Sequence, residues 1–254
     1  MSSQTKVALS ILAHPDDAEF LCAGTLLRLK LEHGWDIHIV TMTPGDCGSA
    51  ELPPEEISRV RRGEGRAGAQ LIEGTYHCVE ESDLLVFYDK TTIQKVTRMV
   101  RTIRPTILFT HSPVDYMLDH EMTSRLTRAA AFNAPIPNFA QDPALPPLGA
   151  IPHLYYCDPV EGKDSFGNEV VPQFLVDISG VIEKKAEMLM AHSSQRDWLF
   201  KHHGMDQYVT SMKEWGATRG QSIGVSFAEG FRQHLGHGYP QNNLLAEVLG
   251  SRQA

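Results

Sequence analysis

The pattern of apolar positions alternates between two kinds of segment along the first half of the chain. Residues 6–13 form a short, continuous apolar run, which is typical of a strand buried on both faces. Residues 17–33 instead repeat apolar side chains at helical spacing and end at Gly34, a residue type that favours the carboxyl end of a helix. The same reading predicts further strands over 36–42, 75–79, 84–88 and 106–110, and helices over about 55–72, 91–103 and 120–132. Strands that alternate with helices predict βαβ units and a mostly parallel sheet.

The second half of the chain begins with a Pro-rich stretch, 134–152, which we predict to be a long surface loop within the domain; a domain boundary is the alternative. We expect its first part, 134–149, to shape substrate choice. Two further strands are predicted over 153–158 and 173–179, followed by helices over 180–191 and 204–217. The sequence shows no repeat, linker or low-complexity tract. It therefore predicts one α/β domain over residues 1–254, with a mostly parallel sheet flanked by helices.

Composition narrows the function classes. Hydrophobic residues make up 42% of the 254 positions, enough for a sizeable core, and the formal net charge is -8. An acidic chain has no electrostatic reason to bind nucleic acid or an anionic membrane. No stretch approaches the roughly 20 apolar residues that cross a bilayer, and the amino terminus is predicted to be a strand, not a signal peptide. The four cysteines are far apart and form no C-x-x-C pair, as expected in a reducing cytoplasm.

Candidate chemistry is concentrated where two of the predicted strands end. The motif His14-Pro15-Asp16-Asp17-Ala18-Glu19 follows the first strand directly. The segment from His111 to His120, which also contains Asp115 and Asp119, follows the strand at 106–110. Binding sites of open α/β sheets form at the carboxyl ends of the strands. The two motifs are therefore predicted to converge at one edge of the sheet.

The residue types in these motifs indicate a zinc site. Catalytic zinc takes three nitrogen or oxygen ligands from the protein and keeps one position for water. His14, Asp17 and His120 supply such a set, because Asp17 opens a helix and can turn back toward His14. Asp16 would then lie beside the metal and accept a proton from the attacking water. The alternative for the first motif alone is a structural turn in which Asp16 or Asp17 caps the helix. The two motifs together favour the metal site.

The combination of motifs resembles the LmbE-like, or PIG-L, zinc N-deacetylases. The resemblance lies in A-H-P-D-D-A-E-F before an apolar helix and in the later Asp-His pair, with softer matches in TPGDCGS and SFAEGFRQHLGHG. It implies a Rossmann-like fold and removal of acetyl groups from N-acetylglucosamine-type substrates. Carried over to this sequence, it implies the same three zinc ligands, with Asp16 as general base, Asp119 as a supporting carboxylate and Arg61 as a substrate-binding residue.

One position departs from the family pattern. The family usually reads H-P-D-H at the second motif, where this chain has Met117-Leu118-Asp119-His120. A thioether cannot donate a hydrogen bond, so another side chain, or else a water or the substrate itself, would have to assist the oxyanion or the departing amine. The candidates that we predict are Tyr116, which is adjacent to Met117, and two histidines of the late segment, His234 and His237.

The sequence therefore predicts a cytoplasmic, zinc-dependent enzyme that removes an acetyl or other acyl group from an amide nitrogen. The substrate class expected from the resemblance is a small N-acylated sugar or glycoconjugate. Two alternatives stay open: an amide or ester hydrolase acting on a non-sugar substrate, and a non-catalytic protein that binds a metal or ligand. A homo-oligomer is compatible with the sequence, and no nucleic acid or membrane insertion is expected.

Overall fold

A computed structural model of the protein describes residues 6–195, 207–250 and 252–253. These residues form one eight-stranded sheet with the order β3-β2-β1-β4-β5-β7-β6-β8. The strands are β1 (Val7–Leu12), β2 (Asp36–Thr41), β3 (Thr75–Cys78), β4 (Ile107–Thr110), β5 (His153–Cys157), β6 (Phe174–Asp177), β7 (Ala228–Gln233) and β8 (Arg252–Gln253). The first five strands in chain order pair in parallel, whereas β7 is antiparallel to both β5 and β6. The predicted α/β class with a mostly parallel sheet is confirmed.

Helices cover both faces of this sheet. They are α1 (Asp17–Leu21), α2 (Ala23–His33), α3 (Pro54–Gln70), α4 (Lys90–Ile103), α5 (Leu118–Asn133), α6 (Ile182–Met190), α7 (Gln207–Ile223) and α8 (Leu244–Leu249), with 3₁₀ turns at Val160–Gly162 and Ser179–Val181. Neighbouring residues of β1 point to opposite faces: Ala8 packs in the core under α2 and α6, and Leu9 packs in the core under α4 and α5. This three-layer arrangement explains why β1 is apolar at every position except the buried Ser10.

The segment after β1 shows why one predicted helix becomes two. The pattern over 17–33 predicts a single helix, but Cys22 has φ -145° and ψ 1° and separates α1 from α2. Gly34 ends α2 as predicted, with a left-handed φ of 66°. The first motif therefore leads into the five-residue α1. The longer α2, which packs in the core, begins only after Cys22.

One predicted strand is absent and other elements were not predicted. Residues 84–88 form no strand, because the amides of Leu84 and Val86 are hydrogen-bonded to the Asp119 carboxylate instead of to a neighbouring strand. The strand β7 and the short helix α8 were not predicted, since β7 contains Glu229, Gly230 and Arg232 and lacks an apolar run. The helix predicted over 204–217 corresponds to α7; residues 204–206 lie outside the described part of the chain.

Two simpler expectations concern the membrane and the cysteines. In the ranges that the structure describes, no helix is both long and apolar enough to span a bilayer. All four cysteines are free thiols; Cys22 and Cys157 are buried and Cys47 is exposed.

Candidate metal centre and active site

The first motif forms a tight turn between β1 and α1. Asp17 turns back as predicted, and its Oδ2 atom accepts a hydrogen bond of 2.7 Å from the backbone amide of His14. Between them, Asp16 adopts a left-handed backbone conformation with φ 106°, which is unusual for a residue other than glycine. The turn therefore points the two consecutive aspartates in different directions.

The second motif reaches the same edge of the sheet because β4 is the parallel neighbour of β1. The helix α5 begins at Leu118, so Asp119 and His120 lie in its first turn. His120 Nε2 lies 3.6 Å from Asp17 Oδ1, and the His14 and His120 rings are 5.4 Å apart. The potential ligand atoms of His14, Asp17 and His120 all lie within 4.8 Å of one another, and all three residues are buried. The fold thus brings together the three residues that we predict to be metal ligands.

Carboxylates also contact these imidazoles on the side away from Asp17. His120 Nδ1 lies 3.0 Å from Asp115 Oδ1 in hydrogen-bonding geometry. This arrangement leaves Nε2 of His120 free for a metal, which is the usual way in which a carboxylate orients a metal-binding histidine. His14 Nε2 lies 2.9 Å from Asp83 Oδ1 and 3.5 Å from Asp119 Oδ2. That buried nitrogen makes no aligned hydrogen bond within the described residues.

The predicted supporting residue, Asp119, acts on the loop that covers the site. Its Oδ2 accepts a 2.7 Å hydrogen bond from the amide of Leu84, and its Oδ1 lies 3.4 Å from the amide of Val86. Leu84 is left-handed, with φ 63°. Asp119 therefore fastens the 82–86 loop to the start of α5 and places Asp83 beside His14. Its proposed role is that of a supporting carboxylate.

The pKa shifts of Asp17 and His14 are those expected of a site that accommodates positive charge. Burial alone raises the pKa of Asp17, but the nearby His120 and His111 outweigh it and hold that pKa well below its usual range. Burial lowers the pKa of His14, but contacts with Asp119, Asp17 and Asp83 outweigh it and raise that pKa well above its usual range. Without a metal, the imidazoles carry the compensating positive charge. A divalent cation bound between nitrogen and oxygen donors would supply the same charge, so the residues present fit a zinc ion.

His111 lies beside the three predicted ligands: its Nε2 is 3.2 Å from Asp17 Oδ2, and its buried Nδ1 makes no hydrogen bond within the described residues. Its Nε2 atom accepts a 2.9 Å hydrogen bond from the amide of Ala13, which requires that nitrogen to be unprotonated. Burial lowers the pKa of His111 to about 4, so the ring is neutral near pH 7. The ring stacks on His120 with 3.9 Å between centroids and 9° between planes. His111 is therefore a packing partner for the ligand His120.

Asp16 points away from the ligand set, toward two donors on other helices. Its Oδ2 atom accepts a 2.5 Å hydrogen bond from the Tyr208 hydroxyl and lies 3.4 Å from Arg61 Nη2. Burial raises the pKa of Asp16, and the Arg61 charge opposes that rise. Asp16 also lines the cavity at the site, which has a volume of about 290 Å³. The predicted base is thus next to a ligand residue and in contact with the space that a substrate would occupy.

Arg61, the predicted substrate-binding residue, lines the same cavity but is only 4% exposed. Its Nη2 atom donates a 2.6 Å hydrogen bond to the carbonyl oxygen of Pro15, within the first motif. The guanidinium lies so close to Gly45 and Gly48 that a Cβ atom at either position would be 2.2 and 2.5 Å from Arg61 Nη1. These contacts hold the turn, and a direct substrate contact by Arg61 stays a prediction.

Tyr116 and Met117 lie at the mouth of the cavity. The Tyr116 ring packs edge-on against His120, with 5.4 Å between centroids, and its side chain is largely exposed. Its hydroxyl is therefore available to a ligand near the metal. His234 and His237 are not brought to this edge. Because β7 runs antiparallel to β5, the His234 amide bonds to the carbonyl of Leu154, near the start of β5, and His237 follows it. His234 and His237 therefore lie toward the amino-terminal edge of the parallel strands.

Three residues of the site were not predicted to have a role. Asp115 is five residues before His120 within the quoted motif, so spacing could have identified it. Asp83 lies between the strands predicted over 75–79 and 84–88, and Tyr208 is 192 residues from its partner Asp16. No local sequence pattern points to these last two, because only the tertiary fold brings them to the site.

Fold and site together define an α/β protein with a candidate mononuclear metal centre at the carboxyl edge of its parallel strands. Residues 9–131 match the family model PIG-L, described as GlcNAc-PI de-N-acetylase. This match contains both motifs and confirms the predicted PIG-L resemblance over that segment.

Relatives that align with most of the chain carry out more than one reaction. Diacetylchitobiose deacetylase from Thermococcus kodakarensis is 25% identical over 236 residues, covering 91% of this chain and 84% of that protein. The 4-oxalmesaconate hydratase of Pseudomonas putida is 24% identical over 236 residues, covering 90% of this chain and 86% of that protein. The structure of N,N'-diacetylchitobiose deacetylase from Pyrococcus horikoshii superimposes with a TM-score of 0.78 at 24% identity, covering 95% of this chain and 89% of that one. That structural likeness shows a shared fold.

Proposed function

We propose that this protein is a zinc-dependent N-deacetylase acting on a small N-acetylated sugar or glycoconjugate. The observation that carries the proposal is the buried His14–Asp17–His120 set with a further carboxylate, Asp16, beside it and facing the cavity. Hydrolytic metal sites typically combine three protein ligands with a nearby carboxylate that does not bind the metal. The relation to diacetylchitobiose deacetylase supports the sugar-type substrate.

The proposed reaction adds water to the amide carbonyl and breaks the C–N bond, giving acetate and a free amine. A bound zinc ion would polarise the carbonyl and lower the pKa of water toward about 7. Asp16 accepts a proton from the attacking water and returns it to the departing nitrogen. Tyr116 is the exposed hydroxyl donor nearest in sequence to the substituted position Met117, and it is our candidate for holding the developing oxyanion.

A hydratase is the second candidate, because one relative of equal similarity carries that activity. The charge of the cavity favours the deacetylase. Among the described residues that line it, Asp16, Asp17 and Asp83 are acidic, and the one arginine or lysine is Arg61, which is already bonded to Pro15. A substrate with several carboxylates would need free cationic or donor groups in their place.

The test is a substrate panel with the zinc-loaded protein. N-acetylglucosamine and N,N'-diacetylchitobiose represent sugars, N-acetyl amino acids represent other amides, and a conjugated diene carboxylate represents hydration. We expect the sugars to release amine and acetate in equal amounts, chelated protein to release neither, and Asp16→Asn to release both much more slowly. Turnover of non-sugar amides alone would assign the function to the first alternative. Loss of diene absorbance without amine would identify a hydratase, and tight zinc without turnover would indicate a binding protein.

A further inference from the structure

Tyr208 makes the short hydrogen bond to Asp16, and nothing in the motifs predicts it. The residue lies in the first turn of α7, is 5% exposed, and donates its hydroxyl to Asp16 Oδ2 at 2.5 Å. Against an ionised carboxylate the phenol must be the donor, because the carboxylate has no proton to give. The other donor to that oxygen is Arg61 Nη2, at the longer distance of 3.4 Å. Tyr208 is therefore the principal partner of the Asp16 side chain among the described residues.

The tyrosine ring is fixed on the side of the first motif. It packs edge-on against Phe20 of α1, with 5.1 Å between ring centroids and 74° between planes. Phe20 follows Asp16 by one helical turn, and its amide bonds to the Asp16 carbonyl at 3.0 Å. The ring and the hydroxyl of Tyr208 thus contact the same short segment, and the hydrogen bond restricts rotation of the carboxylate about its Cβ–Cγ bond.

We propose that Tyr208 is a positioning residue for the reaction: by holding Oδ2 of Asp16, it directs Oδ1 of the same carboxylate toward the attacking water. The structure gives Oδ1 no hydrogen bond from the described residues, so this oxygen is the one free to accept a proton. A base must be aligned with the proton that it removes, and a misplacement of about 1 Å can cost about 100-fold in rate. The proposal rests on the proposed function of Asp16.

The test compares Tyr208→Phe with Tyr155→Phe. Both changes remove one hydroxyl from a buried tyrosine and keep the ring; Tyr155 bonds to Asn243 at 3.0 Å, away from the site. We expect Tyr208→Phe to lower kcat by about 10- to 100-fold while KM and zinc content stay at parent values. Tyr155→Phe should leave all three unchanged. A parent kcat in Tyr208→Phe, or an equal loss in Tyr155→Phe, would overturn the proposal.

A double-mutant cycle tests whether the effect passes through Asp16. In the Asp16→Asn background, Tyr208→Phe should have little further effect on the residual kcat, because the base is already lost. The same cycle measured by thermal unfolding of the metal-free protein should also be non-additive, and this readout needs no turnover. Full additivity in either cycle would contradict the positioning role. If the parent hydrolyses no N-acyl substrate although the unfolding cycle is non-additive, the proposed function fails, and the positioning role falls with it.

Discussion

Two clusters of buried charge contact α1 and the start of α2, and their charges are balanced by different kinds of partner. Lys185 and Glu229 pair at 2.6 Å, and both are almost fully buried. The Glu229 carboxylate also accepts hydrogen bonds of 2.8 Å from the amides of Gly24 and Thr25 at the start of α2, and Lys185 donates to the Phe20 carbonyl at 2.9 Å. This cluster satisfies its own charges and needs no further ion.

The candidate metal-site cluster differs, because imidazoles are the only cationic partners of its carboxylates among the described residues. Asp17, Asp83, Asp115 and Asp119 are buried around His14 and His120, and no lysine or arginine of the described chain is paired with these four carboxylates. The cluster also contains a buried carboxylate oxygen of Asp115 and a buried nitrogen of His14 that make no hydrogen bond. Buried charge of one sign is costly unless something compensates it. This difference is the one expected if the first cluster is structural and the second binds a cation, as we propose.

The largest expected effect comes from removing a ligand of the candidate metal-site cluster. His14→Ala or His120→Ala should abolish stoichiometric zinc binding and all turnover, because two ligands cannot hold the ion. Zinc content is measured by atomic absorption after dialysis. His33→Ala, which changes a half-buried histidine at the end of α2, is the control and should retain zinc. Full zinc retention in both ligand variants would exclude this metal site.

Removal of the proposed base should separate chemistry from metal binding. Asp16→Asn should lower kcat by roughly 10²–10⁴ while zinc content stays at the parent value, because Asp16 faces the cavity and is outside the ligand set. The measurement is kcat at full zinc occupancy. If Asp16→Asn lost the metal and Asp17→Asn kept both metal and rate, the roles of the two residues would have to be exchanged.

Breaking the cluster of Lys185 and Glu229 should affect stability and leave the metal site intact. Lys185→Met leaves Glu229 buried without its cation, and we expect a loss of about 3–5 kcal/mol in the free energy of unfolding. The neighbouring Lys184 pairs with Glu187 on the surface at 2.7 Å, so Lys184→Met should cost less than about 1 kcal/mol. Denaturant unfolding measures both. Equal losses in the two variants, or loss of zinc in Lys185→Met, would remove the distinction between the clusters.

The Asp115 carboxylate, which contacts His120 Nδ1, should increase the affinity of the site for zinc. Asp115→Asn keeps an oxygen acceptor for His120 Nδ1 but removes the charge, and changes of this kind weaken metal binding by about 10- to 100-fold. Competition with a chelator of known affinity measures the dissociation constant. Asp36→Asn, an exposed residue at the start of β2, is the control. An unchanged affinity in Asp115→Asn would mean that its charge does not act on the ligand.

The smallest effects are expected from the three residues considered as replacements for the family histidine at position 117. His234→Ala and His237→Ala should leave kcat unchanged, because this fold places both residues away from the metal site. Tyr116 lines the cavity but its side chain is largely exposed, so Tyr116→Phe should lower kcat by roughly fivefold, the equivalent of about 1 kcal/mol for one hydrogen bond. The comparison is made at full zinc occupancy. A lower kcat in either histidine variant would support the catalytic role predicted for that histidine from the sequence. Parent kcat values in all three variants would mean that Met117 marks a different substrate.

The sequence predicted the parts of the site that depend on local chain order. His14, Asp16 and Asp17 share one turn, and the apolar run before them identifies β1, so both strand-end motifs could be placed at one edge. His234 shows the limit of this reasoning. Its placement depends on the direction of β7, which is set by pairing with β5 and β6, and β7 itself lacks the apolar run that would have revealed it.

The contacts of Asp83 and Tyr208 with the site could not be predicted from the sequence for a similar reason. Asp83 reaches His14 because Asp119 holds the 82–86 loop, and Tyr208 reaches Asp16 because α7 packs against α1. Each contact joins segments that are distant in sequence. Residue type alone does not distinguish these side chains from the surface aspartates and core tyrosines elsewhere in the chain.

The central claim is that the candidate metal-site cluster is a metal centre held by His14, Asp17 and His120. The most direct measurement is a crystal structure of the zinc-loaded protein soaked with acetate, using anomalous scattering at the zinc edge. We expect one anomalous peak about 2.0–2.2 Å from a nitrogen of each histidine and an oxygen of Asp17, with acetate beside it and Asp16 outside the ligand set. A peak between His14, Asp83 and Asp119 instead, or no peak within this cluster, would contradict the account.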